Sequence, residues 1–291
     1  MKMQSLSIVV PSKKCINNCK FCVAKTEQDT YDNFITGRNL YFDLYYKQYI
    51  ERMKYARDNG CNSVILTGNC EPQQNYNFLK LFGIMNNSLE QPFRNVELQT
   101  TGTMIDDDYL YFLRHHVGVT TISLSISSLN NKLNNDIIGA AKDIDIKHLV
   151  KRIKKYQFTL RLSLNLSDLL FEEFKDDYNK LFNKLKMQYN ADQLTFRVLY
   201  DGGTDKPEDK WVREHRIDEM WLEGLRQYIQ QNGRFLERLE YGPRRYSIKN
   251  MSIVVDDDCM SEEAKEVLKF TILRPDARLY TKWDDKGSLL F

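Results

Sequence analysis

Six short runs rich in β-branched and apolar residues alternate with longer stretches of helical spacing, and this alternation constrains the fold more than any other feature of the chain. The runs are residues 5–10 (SLSIVV), 63–67 (SVILT), 95–100 (NVELQT), 120–126 (TTISLSI), 158–164 and 193–199 (QLTFRVL). Between them, residues 42–59, 75–86, 106–115, 145–156 and 170–187 read as helices. The first stops at Gly60, and the third opens with three aspartates that suit the positive end of a helix dipole. Strand, helix, strand at this rhythm predicts right-handed βαβ units on a parallel sheet. Six units fall short of the eight that close a full barrel. The expected fold is therefore α/β, a partial (β/α)6 TIM-like barrel over residues 1–201, with a doubly wound sheet as the competitor that spacing leaves standing. A turn-rich break at 201–207 (DGGTDKP) opens a C-terminal α+β extension, residues 202–291. It is read as a helix at 218–231 and strands at 252–255 and 270–283, the latter folded as a hairpin at Pro275 and Asp276, and is expected to cover the barrel mouth.

A chain of 291 residues with an ordinary apolar fraction can bury a substantial core. Its 42 basic and 40 acidic side chains leave a net charge of +2, so nucleic acid and anionic membrane are not indicated as partners. There is no basic leader followed by an apolar run, and no stretch approaches the roughly 18 apolar residues needed to span a bilayer. The expected location is cytoplasmic.

Three of the six cysteines, Cys15, Cys19 and Cys22, fall within eight positions directly after the first strand, as C-x3-C-x2-C with Phe21 before the last. Clustering of this kind fits metal binding in a reducing compartment better than a disulfide framework. Three thiolates on one short loop can hold three irons of a cubane cluster and leave the fourth open. Zinc would need a fourth ligand; the next cysteine is Cys61, and all four histidines lie far downstream.

At this place in a β/α series the cysteine loop resembles the cluster loop of the radical S-adenosylmethionine (radical SAM) superfamily, a likeness extending over roughly residues 5–200. The resemblance implies a [4Fe–4S] cluster at Cys15, Cys19 and Cys22, its open iron chelated by the methionine end of S-adenosylmethionine (SAM). One electron then cleaves SAM, and a 5′-deoxyadenosyl radical takes hydrogen from the substrate. Leu66-Thr67-Gly68-Asn69-Cys70-Glu71-Pro72, after the second strand, looks like the family's Gly-rich acidic motif. Gly68 and Glu71 would then face the methionine ammonium, with Cys70 standing where a second glycine is common. Further cofactor contacts implied by the resemblance are Phe21, Thr100 in the Gln99-Thr100-Thr101-Gly102 turn, Ser125 on the fourth strand, Asn165 at the end of the fifth, and the backbone near Leu199 at the end of the sixth.

Ser123, Ser125 and Ser127 share one strand face, as do Arg161, Ser163 and Asn165. Arg161 and Arg197 on strands must be ion-paired or at the barrel mouth. Cys70 and Cys259 are the candidate catalytic thiols, as hydrogen-atom donors or, for Cys70, as a further ligand in one state of the cluster. Lys13, Lys14, Lys20 and Lys25 around the loop suit an acidic flavodoxin- or ferredoxin-like electron donor. Arg244, Arg245, Arg274 and Arg278 in the extension, with nearby tyrosines, suit an anionic substrate. The expected substrate is a small polar molecule, nucleotide-like in one reading. The alternatives are a peptide or protein substrate, and a non-catalytic Fe–S or zinc protein. Oligomeric state is left open.

Overall fold

The computed structural model describes residues 2–26, 42–170, 172, 174–239, 243–256, 267–283, 285 and 287–291. Cys259 lies outside the described residues. All six expected strands form: β1 (Lys2–Val9), β2 (Ser63–Thr67), β3 (Asn95–Thr100), β4 (Thr121–Ile126), β5 (Thr159–Leu166) and β6 (Gln193–Val198). Each pairs parallel with the next. The intervening helices are α1 (Val23–Thr26), α2 (Tyr46–Asp58), α3 (Tyr76–Ser88), α4 (Asp107–Phe112), α5 (Asn131–Ile138), α6 (Ile146–Lys155) and α7 (Tyr178–Tyr189). Side chains that accept from backbone N–H groups cap most of them, among them Asn75, Asp106, Asn130, Asp145 and Asp177.

The chain beyond β6 continues this sheet at both of its edges. After α8 (Pro207–Glu214) and α9 (Glu219–Asn232) come β7 (Arg234–Arg238), β8 (Arg244–Ile248), β9 (Met251–Asp256), β10 (Val267–Leu273) and β11 (Leu279–Tyr280). β9 pairs parallel with β6, and β10 parallel with β1. The order is β11-β10-β1-β2-β3-β4-β5-β6-β9-β8-β7. Two β-branched strands thus cover edges that a six-stranded sheet would leave unpaired.

One ion pair decides between barrel and flat sheet. β10 and β9 stand seven strand spacings apart along the order, which is roughly 34 Å in an uncurled sheet. Yet Lys269 Nζ on β10 lies 3.6 Å from Asp256 Oδ1 on β9. The sheet therefore curls until side chains of β9 and β10 meet, and the partial barrel stands over the doubly wound alternative. Among the described residues no backbone pairing joins β9 to β10.

The two faces differ in chemistry. Leu98, Leu124, Leu162, Leu164, Leu194 and Ile253 enter one core with the apolar faces of α2, α3, α6 and α7. Alternate residues turn the other way, and the register aligns Gln99, Ser123, Arg161, Gln193 and Ser252 in one row, with Asn165, Arg197 and Asp256 in a higher one. The concave face is polar, where a filled barrel would be apolar.

Three helical expectations are corrected. The helix read at 170–187 begins only at Tyr178, because buried Leu170 and Phe174 first anchor the segment and Asp177 then caps it. The helix read at 106–115 passes after Phe112 into a π turn, Leu113–Val117, ended by Gly118 at positive φ. The asparagine-rich α5 was not anticipated from propensity. It forms because its cap and buried Asn134 tie it to the exit of β4, where Asn134 Oδ1 accepts from Ser127 N at 2.8 Å.

Candidate functional site

The cysteine loop leaves the C-terminal end of β1, where active-site groups of such barrels collect. Asn17, between Cys15 and Cys19, is its buried hub. Its Nδ2 faces Glu71 Oε2 (3.2 Å), Thr101 Oγ1 (2.9 Å) and Thr103 Oγ1 (2.8 Å). Its Oδ1 accepts from Thr103 Oγ1 and from Ala141 N, both at 3.1 Å. The turn after α5 holds the next stretch: Asn18 N donates to Ile138 O and Gly139 O, and Lys20 N to Ile137 O. Gly139 has φ +51°, and a Cβ there would lie 2.6 Å from Asn18 O, so glycine permits the approach. Gln74 bridges the loop start, accepting from Ile16 N and donating to Lys14 O.

Glu71 is 4% exposed. Its Oε2 accepts from Thr101 N (3.1 Å) and Thr101 Oγ1 (2.6 Å) besides Asn17. Its Oε1 is buried with no partner. Burial pushes this carboxyl above its ordinary range, against the pull of its donors. An unsatisfied buried carboxylate oxygen beside the loop fits a cationic group such as an ammonium. Thr100 is buried, donates to Gln73 Oε1 (2.6 Å) and accepts from Gly102 N (2.8 Å). Its neighbour Thr101 makes the direct bonds to Glu71.

All three loop thiols are free and half-buried, and Cys70 lies against Cys15. The hydrogen bond with Cys70 holds Cys15 below the ordinary thiol range, while burial raises Cys19 and Cys22. Cys70 is turned to Cys15 and Ser12. Cys61 precedes β2, at the opposite end of the parallel pair from the loop, and its buried thiol contacts Ser63 O at 3.3 Å. It cannot complete a zinc site with the loop. Among the described residues no three Cys, His, Asp or Glu side chains gather round a single ion. A cubane makes a different demand, since each thiolate takes its own iron, and three soft donors on one loop suit it.

Across the concave face, Asn165 Nδ2 donates to Ser125 Oγ (3.0 Å) and Ser127 Oγ (3.1 Å). Arg197 Nε is 3.8 Å from Asp256 Oδ2 and has no hydrogen-bond partner. Gly68 follows β2 beside Val10, and Leu199 follows β6, half-buried. Arg161 is committed to Glu97 and Gln193. Of the four extension arginines read as candidates, Arg245 pairs with Glu237 at the far sheet edge and buried Arg274 donates to Trp283 O (2.7 Å), while Arg244 and Arg278 are exposed. The C-terminal Phe291 stacks on Tyr55 of α2, centroids 4.9 Å apart. Asn17, Thr101 and the turn at Gly139 were missed in the sequence. An asparagine set between two ligand cysteines was the available signal for the first.

No helix among the described residues is long and apolar enough to cross a membrane. No curated protein sequence matches the chain significantly. Among solved structures, the chain is similar to Streptococcus suis SuiB bound to S-adenosylmethionine (TM-score 0.60, 14% identity, covering 96% of this chain and 60% of that one). It is also similar to native anSMEcpe with bound AdoMet (0.62, 16%, 99% and 77%) and to the Escherichia coli coproporphyrinogen III oxidase HemN, a radical SAM enzyme (0.52, 11%, 88% and 63%). At such identities the likeness concerns the fold, and the chain spans about 60% of the length of SuiB. The family model described as the radical SAM superfamily matches residues 9–185, from the end of β1 into α7. With a parallel partial barrel and a three-cysteine loop at the end of its first strand, the chain belongs to the radical SAM superfamily, whose enzymes use a [4Fe–4S] cluster and S-adenosylmethionine.

Proposed function

We propose that Cys15, Cys19 and Cys22 ligate the cluster and that the enzyme acts on a small polar substrate held inside the barrel. The observation that carries the substrate class is the polar concave face, above all the row Asn165, Arg197 and Asp256 at the C-terminal ends of β5, β6 and β9. When bound, cluster and SAM supply one-electron cleavage and hydrogen-atom abstraction. The chain's own part is to hold and orient. Asn17 and Thr101 fix one oxygen of Glu71, leaving the other to accept from the methionine ammonium. Asn165 orients Ser125 on the neighbouring strand β4 and Ser127 just beyond it. Arg197, held only loosely by Asp256, is free to turn to an anionic group of the substrate. Of the basic groups read for a nucleotide-like substrate, Arg245 and Arg274 are committed to other partners, which leaves Arg197 and the exposed Arg244 and Arg278.

Lys13, Lys14 and Lys20 are exposed round the loop beside exposed Ile16, whereas Lys25 is paired with Glu208 at 3.1 Å. We read this rim as the docking face of an acidic flavodoxin- or ferredoxin-like donor. Lys14→Glu with Lys20→Glu should slow reduction by such a donor several-fold at low salt and leave reduction by dithionite unchanged. An unchanged rate and salt dependence would remove the donor assignment. For the substrate, anaerobic turnover with deuterated candidates should transfer deuterium to 5′-deoxyadenosine from a small polar molecule. Transfer from a peptide alone would replace this reading with the peptide one.

A further inference from the structure

The break at 201–207 and the start of α8 do more than lead out of the barrel: they grip the last arm of the cysteine loop. We propose that residues 202–211 clamp the segment from Phe21 to Thr26, with Asp209 as the positioning residue that sets the Cys22 arm. Asp209 is fully buried although it lies on a short helix with charged neighbours. Its Oδ1 accepts from Thr26 Oγ1 (3.3 Å) and Gly202 N (3.0 Å). Its Oδ2 accepts from Thr204 N (3.0 Å) and Thr204 Oγ1. Thr26 in turn faces Cys22: its N donates to Cys22 O at 3.2 Å, and its Oγ1 lies 3.5 Å from the same oxygen.

Other contacts converge on the same arm. Lys206 Nζ donates to Thr26 O (2.7 Å) and Lys25 O (3.3 Å), the last two carbonyls of α1. Glu208 pairs with Lys25. Trp211 packs on Phe21, the residue before Cys22, with ring centroids 5.9 Å apart. Gly202 is required by this docking, since a Cβ there would meet Thr26 Cγ2 at 2.5 Å. Three of the Asp209 contacts fix the turn at 202–204 before α8, and the fourth, from Thr26, ties that turn to the cysteine arm. The exit of β6 and the Cys22 arm are thereby built as one unit, so the position of one cluster ligand depends on the chain beyond the barrel's sixth strand.

The inference rests on the three cysteines being the cluster ligands, and the test separates the two. Wild type, Asp209→Asn, Thr26→Val, Cys19→Ala and Asp145→Ala are reconstituted anaerobically. Asp145 caps α6, away from the clamp, and its variant controls for lost stability. Each protein is assayed for bound iron and sulfide, thermal stability, release of iron to a ferrous chelator, and the electron paramagnetic resonance of the reduced cluster. Asp209→Asn and Thr26→Val should load a cluster yet release iron about tenfold faster, as expected for loss of one charge-assisted hydrogen bond, with a changed resonance line shape. Asp145→Ala should lose thermal stability with iron release unchanged. Should Asp209→Asn not fold, Thr26→Val and Lys206→Met carry the same readout. Wild-type iron release in the clamp variants, or equally fast release in Asp145→Ala, overturns the clamp. A Cys19→Ala protein that still holds the cluster overturns the ligand assignment and the clamp with it.

Discussion

The two rims of the barrel mouth are built in opposite ways. On the β1–β3 side, Asn17, Glu71, Thr101 and Thr103 form a closed network of short bonds, and one carboxylate oxygen is left over. On the β5–β9 side, Arg197 Nε lies 3.8 Å from Asp256 Oδ2 and has no hydrogen-bond partner. A tight network suits a cofactor that must arrive in one orientation every time. A loose one suits a substrate whose own groups complete it. The difference separates a rim that sets the common chemistry from one that sets what the chemistry acts on.

Glu71→Gln breaks the tight side where its effect should be largest. SAM affinity should fall roughly 10- to 100-fold, the worth of a charge-assisted hydrogen bond in a buried site, measured by equilibrium binding to the reconstituted protein. Asn17→Ala removes the hub and should destabilise the fold by about 2–3 kcal/mol, read by denaturant unfolding of the apoprotein. It should also weaken cluster retention, because the loop loses its tie to Glu71. Arg197→Met tests the loose side. Substrate KM should rise about tenfold with SAM cleavage in the absence of substrate unchanged. Equal effects of Glu71→Gln and Arg197→Met on SAM binding would erase the distinction between the rims.

A smaller effect concerns pH. Burial alone would raise the Asp209 carboxyl, but its donors Thr204, Gly202 and Thr26 outweigh it and hold it below the ordinary range. A depressed folded-state pKa adds stability above the unfolded value near 4 and loses it as pH falls through the folded value. The stability gap between wild type and Asp209→Asn should therefore stay constant from pH 8 to about pH 5 and shrink below about pH 4. A gap that widens in acid would contradict this.

The strands were legible in the sequence because burial on one face and β-branching leave a local mark, and β1–β6 fall within a few residues of their expected places. The cysteine run was legible because ligand spacing is local as well. What binds the loop was not. Asn17, Thr101 and Ala141 are separated by 40 residues or more, and only the barrel's curl brings them together. The fate of 202–291 was hidden for the same reason. β9 and β10 look like ordinary strands, and nothing nearby in sequence tells that each seeks a different edge of the sheet. Arg274 resembled a substrate-binding arginine in sequence, yet it is buried against Trp283 and Tyr280. Composition shows that a charge is present, and only the fold shows what it is spent on.

The central claim is that the loop after β1 carries the cluster at which SAM is cleaved. Anaerobic reconstitution with iron and sulfide, followed by dithionite and SAM, tests it directly. The wild type should release 5′-deoxyadenosine, and Cys19→Ala should bind no intact cluster and release none. A wild-type protein that takes up only zinc and neither binds nor cleaves SAM would contradict it.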